Sequence, residues 1–478
     1  MRIRVNGLVL ASLLLISNIL LAQEPSLPTG LGASNSPAGA SEPDLPAGMD
    51  SGEPDLPAFN SDNEASVWDS VDDKSAGLLS GVSGFWELRG GLRTRNPVEQ
   101  RHSSLAESRL ELKKEFYFGS WTSKLAADFL YDDIADSQRI DLEQGQGWTD
   151  LREAWLHRRI GTAADVKAGR QVLTWGVGDL LFINDLFPKD WQSFLAGRDE
   201  QYLKAPSDAL RVGMYSEALN INVVYTPKFD ADRFISGERL SFYSPTQGGV
   251  VGRDHPVETD QPDHIFEDDE IALRLYRSVA SFEIALYGYS GYWKSPGGFD
   301  PLSGLATFPR LRVYGASGRG PVGPGILSTE IGFYDSRDDS DGADPFINNS
   351  EWRALLGYEW ELMADTTLAL QFYVEALQDY DAYKASLFPG QRARDEYRQL
   401  LTARLTRLAL NQNLTLSLFA FYSYTDNDSY LRPKASYKLT DNWLLEGGFN
   451  LFQGKDEHTF FGQFESNSNG YVAIRYSF

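Results

Sequence analysis

From Val82 onward apolar and polar residues alternate. Trp86, Leu88 and Leu92 interleave with Glu87, Arg89 and Arg93, and Leu110, Leu112, Phe116 and Phe118 with Arg109, Glu111, Lys113 and Glu115. Successive side chains of a strand point to opposite faces, so each such stretch predicts a strand with one apolar and one polar face. Gly119-Ser120 turns the chain directly into a third strand carrying Trp121, Leu125, Ala127, Phe129 and Tyr131. The pattern returns at about 150–161, 164–175, 209–216, 219–226, 268–279, 281–293, 309–318, 325–336, 351–361, 366–377, 396–407, 414–425, 430–439, 442–452 and 467–478, for eighteen strands in all. The predicted class is all-β.

The connections add independent information. Gly161-Thr162-Ala163, Glu217-Ala218, Leu362-Met363-Ala364-Asp365 and Thr440-Asp441 are short, while the links between them are mostly long, reaching about 30 to 40 residues after strands five and seven. A soluble sandwich has no reason to alternate loop length in this way. A transmembrane antiparallel β-barrel does, with tight turns on one rim and long loops on the other. The expectation is a barrel of about 18 strands over residues 81–478. One strand resists: turning Ala154, Leu156 and Ile160 to the apolar side also turns out Arg152 and Arg158.

Composition agrees with strands rather than helices crossing the bilayer. The 478 residues are 42% hydrophobic and 13% aromatic, with a mean hydropathy of -0.35, and the body of the chain has no apolar run of about 20 residues. A net charge of -23 argues against nucleic acid as a partner. The absence of cysteine excludes disulfides, thiolate metal sites and a lipid-anchored amino terminus.

Arg2 and Arg4, an apolar run from Leu8 to Leu21 and the small residue Ala22 predict a secretory signal peptide over residues 1–22; a transmembrane anchor is the alternative. Residues 23–80 predict a disordered Pro/Gly/Asp-rich periplasmic segment. Within it Glu-Pro-Ser-Leu-Pro at 24–28 recurs as Glu-Pro-Asp-Leu-Pro at 42–46 and 53–57, so residues 24–60 either dock a periplasmic partner or act as an acidic spacer.

With the apolar face outside, the lumen receives Arg89, Arg93, Arg109, Lys113, Lys124, Arg310, Arg312, Arg353, Arg404, Arg432, Lys434 and Arg475, interleaved with Glu87, Glu107, Glu111, Glu115, Glu330 and Glu375. These charges either form a selectivity ladder for anionic or hydroxylated solutes, or simply pair across strands. The loop at about 176–208 is unlike the acidic loops elsewhere, since it carries Leu180, Leu181, Phe182, Ile183, Leu186, Phe187, Trp191, Phe194 and Leu195. So much apolar surface is costly in water, which predicts that the loop folds inward and narrows the lumen. Acidic clusters such as Asp338-Asp339 and Asp341 either hold divalent cations shared with lipopolysaccharide or are solvated.

Two stretches carry a resemblance. Asn469 to Phe478, ending in Tyr476 and Phe478, resembles the closing strand of Gram-negative outer-membrane barrels, in which the terminal Phe is the signal to the barrel-assembly machinery. Gly169 to Gly176 (G-R-Q-V-L-T-W-G), followed by Ile183 to Pro188 (I-N-D-L-F-P), resembles a segment of porin-like and alginate-export-like outer-membrane families. That likeness implies a channel in the bacterial outer membrane, among lipid and lipopolysaccharide, passing sugars, polysaccharides or anions. It implies that Arg170, Gln171, Trp175, Asn184 and Asp185, with Phe187 and Trp191 of the same loop, line or brace a constriction; packing within a structural loop is the alternative. His102, His157, His255, His264 and His458 have no metal-ligand spacing and stand near no nucleophile motif, so no catalytic residue, metal or cofactor is expected. The competing function is a barrel acting as scaffold or sheath for partner proteins.

Overall fold

The computed structural model describes residues 80–135, 139–389 and 391–478. The expected signal peptide and Pro-rich segment lie outside these residues. Eighteen strands form one sheet: β1 Val82–Arg93, β2 Ser103–Phe118, β3 Trp121–Asp132, β4 Thr149–Ile160, β5 Ala164–Val172, β6 Pro206–Met214, β7 Asn220–Thr226, β8 Glu270–Val279, β9 Phe282–Tyr292, β10 Arg310–Val322, β11 Gly325–Ser336, β12 Glu351–Met363, β13 Thr366–Leu377, β14 Tyr397–Ala409, β15 Leu414–Ser423, β16 Asp428–Lys438, β17 Trp443–Gly454 and β18 Asn469–Ser477. Each pairs antiparallel with its chain neighbours. β18 pairs antiparallel with β1, from Phe85 opposite Ser477 to Arg93 opposite Asn469, and this closes the barrel. Closure leaves no unpaired edge.

The short-turn rim is built from hairpins. At β8–β9 the turn is Ala280-Ser281, with φ of 49° and 69°, the left-handed pair that a two-residue hairpin of matching twist requires. The conflict in β4 is resolved by a bulge. Glu153 lies opposite Ala126 and Leu151 opposite Ala127, so Arg152 is the extra residue and turns inward beside Glu153. Its guanidinium donates to the carbonyls of Gln201 (3.2 Å) and Lys204 (2.8 Å). Arg158 stays outside near the short-turn rim, 5.0 Å from the Trp121 ring.

Toward the long-loop rim, the inner face of β9 to β17 carries large apolar residues as well, beside charges such as Arg353 and Arg432. Tyr287, Tyr289, Leu311, Val313, Tyr334, Leu355, Tyr373, Leu400, Phe419, Phe421, Tyr430 and Phe452 all face inward and are buried. Phe461 and Phe464 of the β17–β18 connection cover Phe421, Tyr430 and Phe452, and the largest share of the burial comes from the long connection from β5 to β6, residues 173–205. It contributes Leu173, Trp175, Ile183, Leu186, Phe187, Phe194, Leu195 and Leu203 to the same cluster, so the core lies inside the barrel.

Candidate functional site: the lumen and its inserted loop

The loop enters along the line of β5 and turns at Gly176, whose φ of 87° suits glycine. Beyond it the backbone wraps the Glu330 carboxylate, projected inward from β11. Val177 N–H (3.0 Å), Gly178 N–H (3.2 Å), Asn184 N–H (2.8 Å) and Asn184 Nδ2 (2.9 Å) all donate to it. Such close approach needs bare wall: a Cβ on Gly315 would lie 1.7 Å from Asn184 Oδ1, and one on Gly332 2.7 Å from Ile183 Cγ2. The Tyr334 hydroxyl donates to the Ile183 carbonyl. Asp185 then accepts from Thr174 Oγ1 (2.7 Å) and pairs with Lys189 (2.9 Å). A short helix, α1 (Trp191–Ala196), starts at Asp190, whose carboxylate accepts from Ser193 N–H, and ends at Gly197 with φ 98°. A 3-10 turn, Glu200–Leu203, follows.

Wall arginines meet carboxylates of the loop. Arg404 on β14 pairs with Asp179 (2.6 Å), Arg432 on β16 with Glu200 (2.9 Å), and Arg475 on β18 with Asp199 (3.0 Å) and Glu87 (2.8 Å). Arg89 on β1 holds Glu87 (2.8 Å), Glu446 (2.9 Å) and the Gly197 carbonyl (2.9 Å), and Lys434 also reaches Glu446 (3.1 Å). On the strand next to β1, Glu107 of β2 pairs with Arg198 of the loop (2.6 Å). The Tyr202 ring sits between the guanidiniums of Arg109 (4.1 Å) and Arg152 (5.0 Å). Loop contacts thus reach β1, β2, β4, β11, β14, β16 and β18, nearly the whole circumference.

The connection from β7 to β8, residues 227–269, lies against this loop. Arg233, almost fully buried, donates to both oxygens of Asp150 on β4 (2.9 Å each), to Asp190 (3.4 Å) and to the Glu143 carbonyl (3.1 Å). Asp232 accepts from Lys189 N–H (2.7 Å), Trp191 Nε1 (3.1 Å) and Ser295 Oγ (2.8 Å). Burial, aided by the nearby Glu270 carboxylate, pushes the Asp230 carboxyl up to about 6, against the opposing hydrogen bond from Ser207.

The outside of the wall is apolar all the way round. Leu88, Leu125, Phe129, Leu210, Ile271, Leu286, Ile331, Leu356, Phe372, Leu401, Leu418, Leu431, Leu445 and Val472 are exposed on strands from β1 to β18. Trp443 and Tyr476 (4.9 Å), and Phe333 and Trp352 (4.8 Å), add aromatic pairs to this surface. In water such a belt would cost free energy in proportion to its area; in hydrocarbon it costs nothing. The fold is that of an outer-membrane β-barrel. No protein-family model matches the chain, and no curated protein matches it. Among solved structures the barrel is similar to OccD3 (OpdP) of Pseudomonas aeruginosa, at 13% identity and TM-score 0.47 over 85% of this chain and 93% of that one. It is also similar to OccAB3 of Acinetobacter baumannii, at 9% identity and TM-score 0.46 over 83% and 99%. A third is OmpF of Salmonella typhi in complex with daunomycin, at 9% identity and TM-score 0.41 over 83% and 97%.

Of the residues expected in the barrel lumen, Arg89, Arg93, Arg109, Lys113, Arg353, Arg404, Arg432 and Lys434 face inward, and each has a partner. Arg93 donates to the carbonyls of Arg101, Ser103 and Arg239, Arg353 to Glu351 (2.5 Å), Arg109 to Asp128, and Lys113 lies 3.7 Å from Glu111. Arg312 is a correction. It is exposed on the outer face of β10 with Arg310 and Tyr314, while Leu311 and Val313 take the inner face, because the loop fills the lumen there with apolar side chains. Arg170 is a second. It shares the outward row with Ala154 and Leu156 and pairs with Asp208 on β6 (2.7 Å), outside the constriction, whereas Gln171 points inward and donates to the Ala209 carbonyl (2.9 Å). Trp175, Asn184, Asp185, Phe187 and Trp191 all belong to the inserted loop. Tyr476 faces outward, and Phe478 exchanges backbone hydrogen bonds with Gly84 (3.0 Å each) at the β1–β18 seam. Sequence reasoning missed Glu330 as the anchor and Arg233 and Asp232 as clasps. The last two sit in a loop without periodicity, where no local signal marks them.

Proposed function

We propose that the barrel is a passive channel for small hydrophilic solutes and that residues 173–205 form its constriction. The observation that supports this most is the line of loop carboxylates, Asp179, Asp199 and Glu200, set against Arg404, Arg432 and Arg475 of the wall. Asp179 and Glu200 stay about one third exposed, so a solute passing them meets charges of both signs in a confined, weakly screened setting. Because these cations are matched by carboxylates, the sign preference is small. Neutral hydroxylated solutes and zwitterions then pass alongside small anions.

Reconstitution into a planar bilayer tests this. Discrete conductance steps are expected, with a reversal potential near zero in a salt gradient, and deletion of residues 180–195 should enlarge them. A folded barrel that gives neither steps nor liposome swelling would overturn the proposal and favour the scaffold function.

A further inference from the structure

Most of the inserted loop is buried, but its tip is not. Ile183 through Asp190 are all buried, whereas Leu180, Leu181 and Phe182 stay partly exposed. Inside a barrel that exposure is to the lumen. The three pack against the core on one side only, and unlike Gln201, the loop's exposed position, they are apolar.

The tip is also held rigidly, in a conformation that works against its own residue type. Leu180 has φ 59°, a left-handed geometry that is strained for a side chain with a Cβ. The backbone on either side is pinned. Glu330 takes the N–H groups of Val177, Gly178 and Asn184. The Gln371 amide on β13, oriented to donate to the Asp179 carbonyl (3.0 Å), accepts from Asp179 N–H (2.8 Å). Next to the apolar run lie charges of both signs. The Asp179–Arg404 pair is partly exposed, and Lys189 Nζ stands 4.7 Å from the Phe182 ring centre.

We infer that Leu180, Leu181 and Phe182 form a specificity contact for solutes that carry a compact apolar group next to a charged or zwitterionic end. The apolar group rests on the tip while the charged end exchanges with the Asp179–Arg404 pair. This rests on the channel function proposed above and adds which solutes it favours.

Leucine and asparagine test it, being zwitterions of nearly equal size that differ in side-chain polarity. Initial uptake of each from dilute solution into proteoliposomes is measured for the full chain. Partial burial of one leucine side chain against the tip favours leucine by about three- to five-fold. Leu180→Asn keeps the size and tolerates the left-handed backbone, so the ratio should fall towards one while salt conductance is retained. Leu180→Gly, free of strain and without a side chain, should do the same. Equal or slower entry of leucine in the wild type, or a ratio that neither variant changes, would overturn the inference and leave the channel standing. Absence of conductance and of uptake for both solutes would instead remove the channel itself.

Discussion

Replacing Glu330 by Ala should free the tip of the inserted loop without releasing the rest of it. The carboxylate accepts four hydrogen bonds, three from backbone N–H groups at positions 177, 178 and 184. Each donor left buried and unpaired costs about 1–3 kcal/mol, so the local loss is about 3–9 kcal/mol, enough to unpin residues 176–184. The remainder stays because Leu186, Phe187, Phe194 and Leu195 are buried in the barrel core, and each contributes about 1.5–3 kcal/mol. Single-channel recording should therefore show larger, noisier steps for Glu330→Ala, and hydrogen exchange should show lost protection at 177, 178 and 184 with protection kept at 193–196. Glu330→Gln should fall between, since its amide nitrogen must face donors that the carboxylate accepted from. Unchanged conductance together with unchanged exchange at those three amides would refute the assignment of Glu330 as the anchor.

Arg233→Met should loosen the 227–269 loop, because Asp150 and Asp190 lose a buried partner at a cost of about 3–5 kcal/mol; faster proteolysis within that loop, with the barrel still folded, is the expected result. Asp230 carries a pH dependence of definite sign. Its folded-state pKa, about 6, lies above the value of 3.8 for a free carboxyl, so its contribution is fully present below that lower value and is lost as pH rises through 6. Asp230→Asn should therefore slow proteolysis of the loop at pH 8 and change it little at pH 4, and an equal effect at both would contradict the burial argument. At the β8–β9 hairpin, Ala280→Asn with Ser281→Gly suits the two left-handed positions and should stabilise by about 0.5–1 kcal/mol in urea titrations in lipid vesicles; a lowered midpoint would refute the turn geometry.

Much of the fold was legible in the sequence, because two local signals were independent of each other. Alternation set the strands, and the contrast between turns such as Gly119-Ser120 and the long connections set the two rims, which together implied an even-stranded closed sheet. The apolar content of residues 180–195 likewise marked a loop that could not stay in water. What alternation cannot supply is which face is inside. For most strands polar-inward was right, since the inward charges find partners on neighbouring strands and on the loop. For Arg312 it failed, because the inserted loop makes the lumen apolar beside Leu311 and Val313 and so reverses the preference on that part of β10. Arg170 failed for a related reason: its partner Asp208 arrives from the next strand and satisfies it on the outer face. The clasp of Arg233 on Asp150 and Asp190 joins residues far apart in the chain, and only the folded barrel brings them within hydrogen-bonding distance. A strand's own sequence fixes that it has two unlike faces; the direction each one looks is decided by what the rest of the chain puts in the lumen.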